Sequence, residues 1–354
     1  MPQLWLRAET KTGEHRTPLT PEGAEELLQL GFRISVEESS QRVFTDQEYL
    51  AAGCELVPNG TWEKAPNQAF ILGLKELPGS AQPIRHRHIF FAHAFKGQPN
   101  ARALLSRFLR GGGKLLDLEY LTDETNRRVA AFGYWAGYVG ASLSLLAWFH
   151  RSNGRPLPAL KPYADAETLR EEISELKRTL PRAEDSAPKA LIIGAKGRSG
   201  SGATDAFKQQ AITPLMWDLE ETQNRSTFPE LYEQDIVVNC VLVSKPMPPF
   251  ITTGELQKRH KPNVIADVSC DPYHPNNPFP VYSECTTWEV PEKRIHQTQI
   301  SLLAIDNLPS LLPKESSQDF AQQLLPHLKS LPRWSTPWKS SLEQFTEYCK
   351  NINP

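Results

Sequence analysis

The chain is poor in the features that mark several common protein classes. Cysteine is scarce: five residues, at 54, 240, 270, 285 and 349, with no C-x-x-C pair among them. An odd, dispersed set of thiols argues for a reduced state in the cytoplasm and against a zinc site. Charge of one sign is missing as well. Lysine and arginine number 39 and aspartate and glutamate 41, for a net charge of −2, and the two signs are mixed along the chain. That balance offers no footprint for a polyanion and excludes nucleic acid as an expected partner. No apolar run reads as a membrane span. The longest candidate, 130–149, carries no charge, but Gly133, Gly137 and Gly140 dilute it, and it reads as a buried helix between domains. The N-terminal Met1-Pro-Gln-Leu-Trp-Leu-Arg-Ala-Glu has neither the basic nor the apolar region of a signal peptide. Cytoplasmic placement away from membranes follows as the expectation.

What is present is alternation. At 354 residues the chain suits two domains better than one. Short apolar runs at 4–8, 33–37, 69–74, 88–91 and 114–117 read as buried strands. Helical patterns lie between them, at 20–30, 46–52 and 101–110, the first opened by a Thr20 cap and Pro21. After the 130–151 helix comes a charged helix, 166–179, expected to be solvent-exposed. A second series follows, with strands from Lys189, at 236–242, at 263–268 and near 299–305, then helices at 315–330 and 341–351. A β-α-β series implies a parallel sheet. The predicted fold class is α/β, two Rossmann-like doubly wound domains with a cleft between them. The expected division is 1–133 plus 314–354 for substrate and 134–313 for a dinucleotide.

The most informative segment is Lys189-Ala-Leu-Ile-Ile-Gly194-Ala-Lys-Gly197-Arg-Ser-Gly200. An apolar strand stops at glycines spaced G-x-x-G-x-x-G, and a helical pattern from Ala203 to Gln210 follows. Such glycines permit a tight turn and let a pyrophosphate approach a helix N-terminus, where amides and the dipole favour anions. Asp218 lies 24 residues after Gly194, where a second strand would end. A carboxylate there accepts hydrogen bonds from both ribose hydroxyls and repels a 2′-phosphate, so NAD is the expected cofactor.

In the first domain, polar residues gather just after strands. They are Arg7-Ala-Glu-Thr-Lys with Glu14-His-Arg16, Gly73-Leu-Lys75-Glu76, Phe91-Ala-His93-Ala-Phe-Lys96, Asp117-Leu-Glu119 and Arg127-Arg128. In open parallel sheets the ligand crevice lies beyond the carboxyl ends of the strands, so these groups should converge on one edge. Arg16 suits a carboxylate. Lys75, ending an apolar run, suits catalysis or substrate contact. His93, among phenylalanines, reads equally as a site residue or a core histidine. Glu76 and Glu119 read equally as site groups or as partners of nearby cations. Lys96 reads as a solvated or anion-steering charge.

These segments resemble the NAD-dependent, lysine-forming saccharopine dehydrogenases, within the wider alanine dehydrogenase group. The resemblance runs nearly end to end, through Leu6-Arg-Ala-Glu-Thr-Lys, Gly73-Leu-Lys-Glu, Phe91-Ala-His, Asp117-Leu-Glu and Arg127-Arg-Val-Ala-Ala-Phe-Gly. In the second half it adds Leu191-Ile-Ile-Gly-Ala, Ser244-Lys-Pro-Met-Pro-Pro-Phe, Ala266-Asp-Val-Ser and Ile305-Asp-Asn-Leu-Pro-Ser-Leu-Leu-Pro. It implies cleavage of saccharopine by NAD and water to lysine, 2-oxoglutarate and NADH, the last step of the aminoadipate route of lysine synthesis. It implies Lys75 as the base of the redox half-reaction and His93 as the acid–base group of imine hydrolysis. Arg16 and Arg128 would clamp substrate carboxylates, with Glu76, Lys96, Glu119 and Asp306 as further substrate-side residues. Cofactor contacts would fall to Gly194, Gly197, Arg198, Ser199, Gly200 and Asp218, and to Cys240 and Asp267 in the later strands. Ser199 stands where some relatives carry cysteine. The readings in competition are an alanine-dehydrogenase-like or opine-type enzyme and a catalytically silent NAD-binding sensor. Retention of both Lys75 and His93 speaks against the sensor.

Overall fold

A computed structural model describes residues 1–354 apart from positions 97, 99, 180–186, 242, 244, 258–261, 351, 353 and 354. Two units emerge, Met1–Ala131 with Pro313–Pro354, and Phe132–Leu312.

The first unit opens with β1 (Gln3–Leu6), α1 (Pro21–Gln29), β2 (Arg33–Glu37), α2 (Asp46–Ala51), β3 (Glu55–Val57), β4 (Phe70–Leu72), β5 (Arg87–Phe90), α3 (Ala101–Gly111) and β6 (Lys114–Asp117). Thr20 caps α1 by accepting the Gly23 amide at 3.2 Å, with Pro21 in the first turn, and Thr45 with Glu48 forms a capping box on α2. The six strands pair in parallel in the order β3-β2-β1-β4-β5-β6. Leu4, Leu6, Ile71, Leu72, Ile89, Phe90, Leu115 and Leu116 are all buried, as a sheet covered on both faces requires. The order reverses between β1 and β4, which makes their carboxyl ends the natural place for a site.

The second unit holds α4 (Gly133–Ser152), α5 (Ala166–Arg178), β7 (Ala190–Ile193), α6 (Arg198–Gln209), β8 (Leu215–Trp217), α7 (Leu219–Thr222), β9 (Ile236–Asn239), α8 (Thr253–Leu256), β10 (Val264–Asp267), β11 (Lys293–Arg294) and β12 (Ser301–Leu303). Its sheet runs β8-β7-β9-β10-β12-β11, parallel except for the antiparallel edge strand β11. The reversal here falls between β7 and β9. The chain then returns to the first unit with α9 (Pro313–Ser330) and α10 (Thr336–Cys349). Ser317 on α9 accepts the Thr17 amide at 3.0 Å, and Ser341 on α10 donates to the Asp117 carbonyl at 3.2 Å.

Several details differ from the sequence expectation. The short strands β3 and β11 were not anticipated, since both are exposed or half-buried at sheet edges and carry no buried apolar run. α5 is not solvent-exposed all round: Leu169 and Ile173 are buried in the core it shares with α4. α6 begins at Arg198 rather than Ala203, because Gly200 and Gly202 belong to its first turns. Leu242 of the expected third strand, Ser244 of the proline-rich motif and Asn351 of the last helix lie outside the described residues. Among the described residues no helix is long and apolar enough to cross a membrane.

Candidate functional site

At the first reversal the backbone beyond β1 is tied to the backbone beyond β4. The Glu9 carboxylate accepts the amides of Leu74 at 2.6 Å and Lys75 at 2.9 Å, and Arg7 lies 3.4 Å from it. Arg7 also donates to the Lys75 carbonyl. Gly73 makes room for this crossing, since a Cβ there would sit 2.3 Å from the Arg7 Nε. Burial raises the Glu9 carboxyl despite Arg7 and the two amides. The outcome is a lysine on a fixed backbone.

The Lys75 Nζ lies 4.0 Å from Glu14 Oε2. Glu14 in turn takes a two-pronged bond from Arg16, Nε to Oε1 at 2.8 Å and Nη2 to Oε2 at 2.7 Å. Burial pushes the Glu14 carboxyl up, but the Arg16 fork and then the Lys75 ammonium pull harder and leave it below its ordinary value. Arg16 is itself buried. A substrate carboxylate at Arg16 therefore has to share the guanidinium with Glu14, which the sequence reading did not foresee.

His93 follows β5 and has a φ of +49°, in the left-handed region where histidine is enriched among non-glycine residues. Its side chain is 45 % exposed, which rules out the core-histidine reading. Nε2 lies 3.5 Å from Glu76 and Nδ1 3.9 Å from Glu119, and Lys96 Nζ lies 2.5 Å from the other Glu119 oxygen. Glu119 is held by a short turn after β6 that Asp117 starts, its Oδ1 accepting the Glu119 amide at 2.9 Å. Asp117 is fully buried, and that burial pushes its carboxyl up to about 7. A cavity of about 380 Å³ opens beside Glu76 and His93, backed by Asn100 and Ala101 at the start of α3. Arg128 stands exposed at the end of the Thr122–Arg128 bridge. Arg7, Glu9, Glu14 and Asp117 stand in the segments expected at this edge, but the sequence assigns none of them an individual role. Charged residues placed immediately after an apolar strand were the available signal.

The second unit presents the dinucleotide features. Gly194 has φ +80°, and a Cβ on it would meet Val241 at 2.7 Å and the Cys240 backbone at 3.2 Å. A Cβ on Gly200 would lie 2.1 Å from the Gly194 carbonyl, so glycine lets α6 seat directly on the turn. Gly197 is the N-cap of α6 and provides no side-chain cap to this twelve-residue helix, an arrangement whose first-turn amides suit an anion. Arg198 is exposed on that first turn. Ser199 packs against α4, where a Cβ on Gly137 would lie 1.7 Å from its carbonyl. Asp218 sits at the end of β8, partly exposed, accepting the Lys196 amide at 3.0 Å and the Leu219 amide at 2.9 Å. These residues fit NAD: a glycine turn, a helix end without a side-chain cap and a carboxylate at the end of the next strand. Cys240 adjoins Gly194. Asp267 is buried and fully engaged by Asn239 (2.9 Å), Ser269 (2.6 Å) and Tyr282 (2.7 Å). That makes Asp267 a support of the strand ends, and any cofactor contact it makes competes with three neighbours. Asp306 is exposed beside Asn307. Among the described residues no group of three or more His, Cys, Asp or Glu side chains is arranged to hold a metal ion.

Two doubly wound units, one with a glycine turn for a dinucleotide and one with a lysine and a histidine at adjacent strand ends, define a nicotinamide-dependent dehydrogenase. Comparison with known proteins agrees. The alanine dehydrogenase/PNT N-terminal domain family matches residues 5–139 and the C-terminal domain family residues 190–348. A solved L-alanine dehydrogenase superposes with a TM-score of 0.67 at 16 % identity, covering 97 % of this chain and 93 % of that one, and shares its fold. The saccharopine dehydrogenase [NAD(+), L-lysine-forming] of Schizosaccharomyces pombe is 43 % identical over 93 % of both chains. The enzyme of the same name from Yarrowia lipolytica is 42 % identical over 99 % of this chain and 98 % of its own. The chain belongs to the family of NAD-dependent, lysine-forming saccharopine dehydrogenases.

Proposed function

We propose that the chain oxidatively cleaves saccharopine with NAD and water, giving L-lysine, 2-oxoglutarate and NADH. The observation that carries this reading is the placement of Lys75 beside Glu14 and of His93 between Glu76 and Glu119, at the ends of adjacent strands β4 and β5. NAD would be held by the Gly194–Gly200 turn and Asp218, and would supply the hydride acceptor. Lys75, acting in its neutral form, takes the proton that the secondary amine must lose, and Glu14 steadies the resulting ammonium. Because Arg16 already claims Glu14, that pull on Lys75 is moderated. His93 deprotonates the water that attacks the imine and returns a proton to the departing lysine amine. Glu76 and Glu119, with Lys96 on the latter, hold the ring in place. Arg16 and Arg128 bind substrate carboxylates, and Asp306 contributes a further substrate contact. Substrate chemistry is assigned to 1–133 with 314–354 and the dinucleotide to 134–313. Cytoplasmic residence is supported by the cysteines, which are all free.

The roles are tested by Lys75→Met and His93→Gln. Each should lower turnover about 10²–10⁴-fold, the usual contribution of a general acid–base group, with NAD binding retained. Each should also remove one limb of the pH profile, and the double variant should lose less than the product of the single losses. Near-normal turnover with an unchanged profile in both would show that these residues are not the acid–base pair.

A further inference from the structure

Between Asp267 at the end of β10 and Thr286, which bridges to Ile305, the chain runs through a long loop without regular helix or strand. It carries prolines at 272, 275, 278 and 280. Loops of this length inside a compact unit need to be fastened. One fastening is the Tyr282 hydroxyl, which donates to Asp267. A second lies at the mouth of the loop. The Cys270 thiol donates to the Cys285 sulfur at 2.8 Å, and Cys285 in turn approaches the Cys270 carbonyl at 3.7 Å. Both cysteines are only partly buried, whereas Cys54 and Cys349 are buried in the other unit.

We infer that Cys270 and Cys285 form a modification site, a dithiol that a hydroperoxide converts to an intrachain disulfide closing the 270–285 loop. The convergence of two side chains from opposite ends of an irregular loop carries this assignment. Cys270 is the donor in the thiol–thiol contact and its burial favours the protonated form, so Cys285 is the attacking sulfur. Its thiolate attacks one peroxide oxygen, the O–O bond breaks, and the departing hydroxide or alkoxide takes a proton to leave as water or alcohol. The Cys285 sulfenic acid is then attacked by the Cys270 sulfur. The S–O bond breaks, the S–S bond forms, and the thiol proton leaves with the hydroxyl as water. The two sulfurs lose two electrons and the peroxide gains them. Because the sulfurs are already adjacent, the bond fixes the loop where it lies.

The test uses the full-length chain, reduced, exposed to hydrogen peroxide and then to an alkylating agent. The oxidised protein should be lighter by two hydrogens, leave three of its five thiols to alkylate, and yield a peptide joined through Cys270 and Cys285. A thiol reductant should restore all five. Cys270→Ser and Cys285→Ser should each keep their four remaining thiols free under the same treatment while retaining NAD binding. Five alkylated thiols after peroxide, or a bond joining Cys240 instead, would overturn the assignment. A linked chain that had lost NAD affinity would overturn the claim that the bond fixes the loop in its existing position.

Discussion

Asp117 is the residue whose environment makes the sharpest claim. Buried without exposure, it takes up its proton at about 7 instead of its ordinary 3.8. Between those values the folded state holds the proton and the unfolded state has lost it. This group therefore costs nothing below about pH 4 and destabilises increasingly as pH rises to about 7. At 1.36 kcal/mol for each pH unit, the cost reaches about 4 kcal/mol. Asp117→Asn keeps an acceptor for the Glu119 amide and removes the titration. Its stability relative to the native protein should climb between pH 4 and pH 8 in denaturant titrations, and a difference flat across that range would contradict the burial argument. Glu14 works in the opposite sense. Held below its ordinary value by Arg16 and Lys75, it contributes stability that is lost as pH falls. Asp218 carries the claim about cofactor choice. Asp218→Ser keeps a capping oxygen for α7 but removes the charge that repels a 2′-phosphate, so the preference for NAD over NADP, measured as the ratio of kcat/KM values, should erode. A native protein that uses both equally would remove Asp218 from the ribose. Much of this site was legible in the sequence as residue types after strands. What escaped was pairing. Glu14 stands two residues before Arg16, but residue types alone do not announce that both are buried and paired, nor that Asp267 accepts from Asn239, Ser269 and Tyr282.

The helices α4 and α6 show how elements are chosen by packing against local propensity. Gly200 and Gly202 look like loop residues in sequence, since glycine weakens a helix by about 1 kcal/mol relative to alanine. In the structure both lie within α6, because a Cβ on Gly202 would meet the Tyr134 carbonyl at 1.9 Å and one on Gly200 the Gly194 carbonyl at 2.1 Å. Close approach of two backbones outweighs the propensity cost, and this is why the predicted start at Ala203 was late. Strands with long apolar runs were legible for the opposite reason: burial on both faces leaves a continuous signal, as in β7 and β9, all four residues of each being buried. Gly202→Ala should therefore destabilise by about 1–3 kcal/mol, the usual range for overpacking, read as a lower urea midpoint. Gly254→Ala, with nothing within 4 Å of its added Cβ in α8, should be neutral or slightly stabilising. Equal midpoints for the two variants would contradict the packing account.

At the scale of the whole molecule, two sheets reverse their strand order once each, and each reversal carries the charged or glycine-rich segment assigned to a site. In the first unit the reversal lies between β1 and β4, with Glu9, Lys75 and Glu14 beyond it, and in the second between β7 and β9, with Gly194 and Cys240. The alternation of strands and helices made both sheets readable from sequence, whereas the edge strands β3 and β11, exposed or half-buried, left no apolar run to read. The central claim is that these two constellations serve one reaction, oxidation of a secondary amine joining lysine to 2-oxoglutarate. It is tested most directly by following NADH formation from NAD with saccharopine, alanine and other opines in parallel, with lysine and 2-oxoglutarate measured as products. Saccharopine should be used with the highest kcat/KM and should yield lysine and 2-oxoglutarate in equal amounts with NADH. Turnover of alanine or another opine at a higher kcat/KM, or NADH formed from saccharopine without lysine, would contradict it.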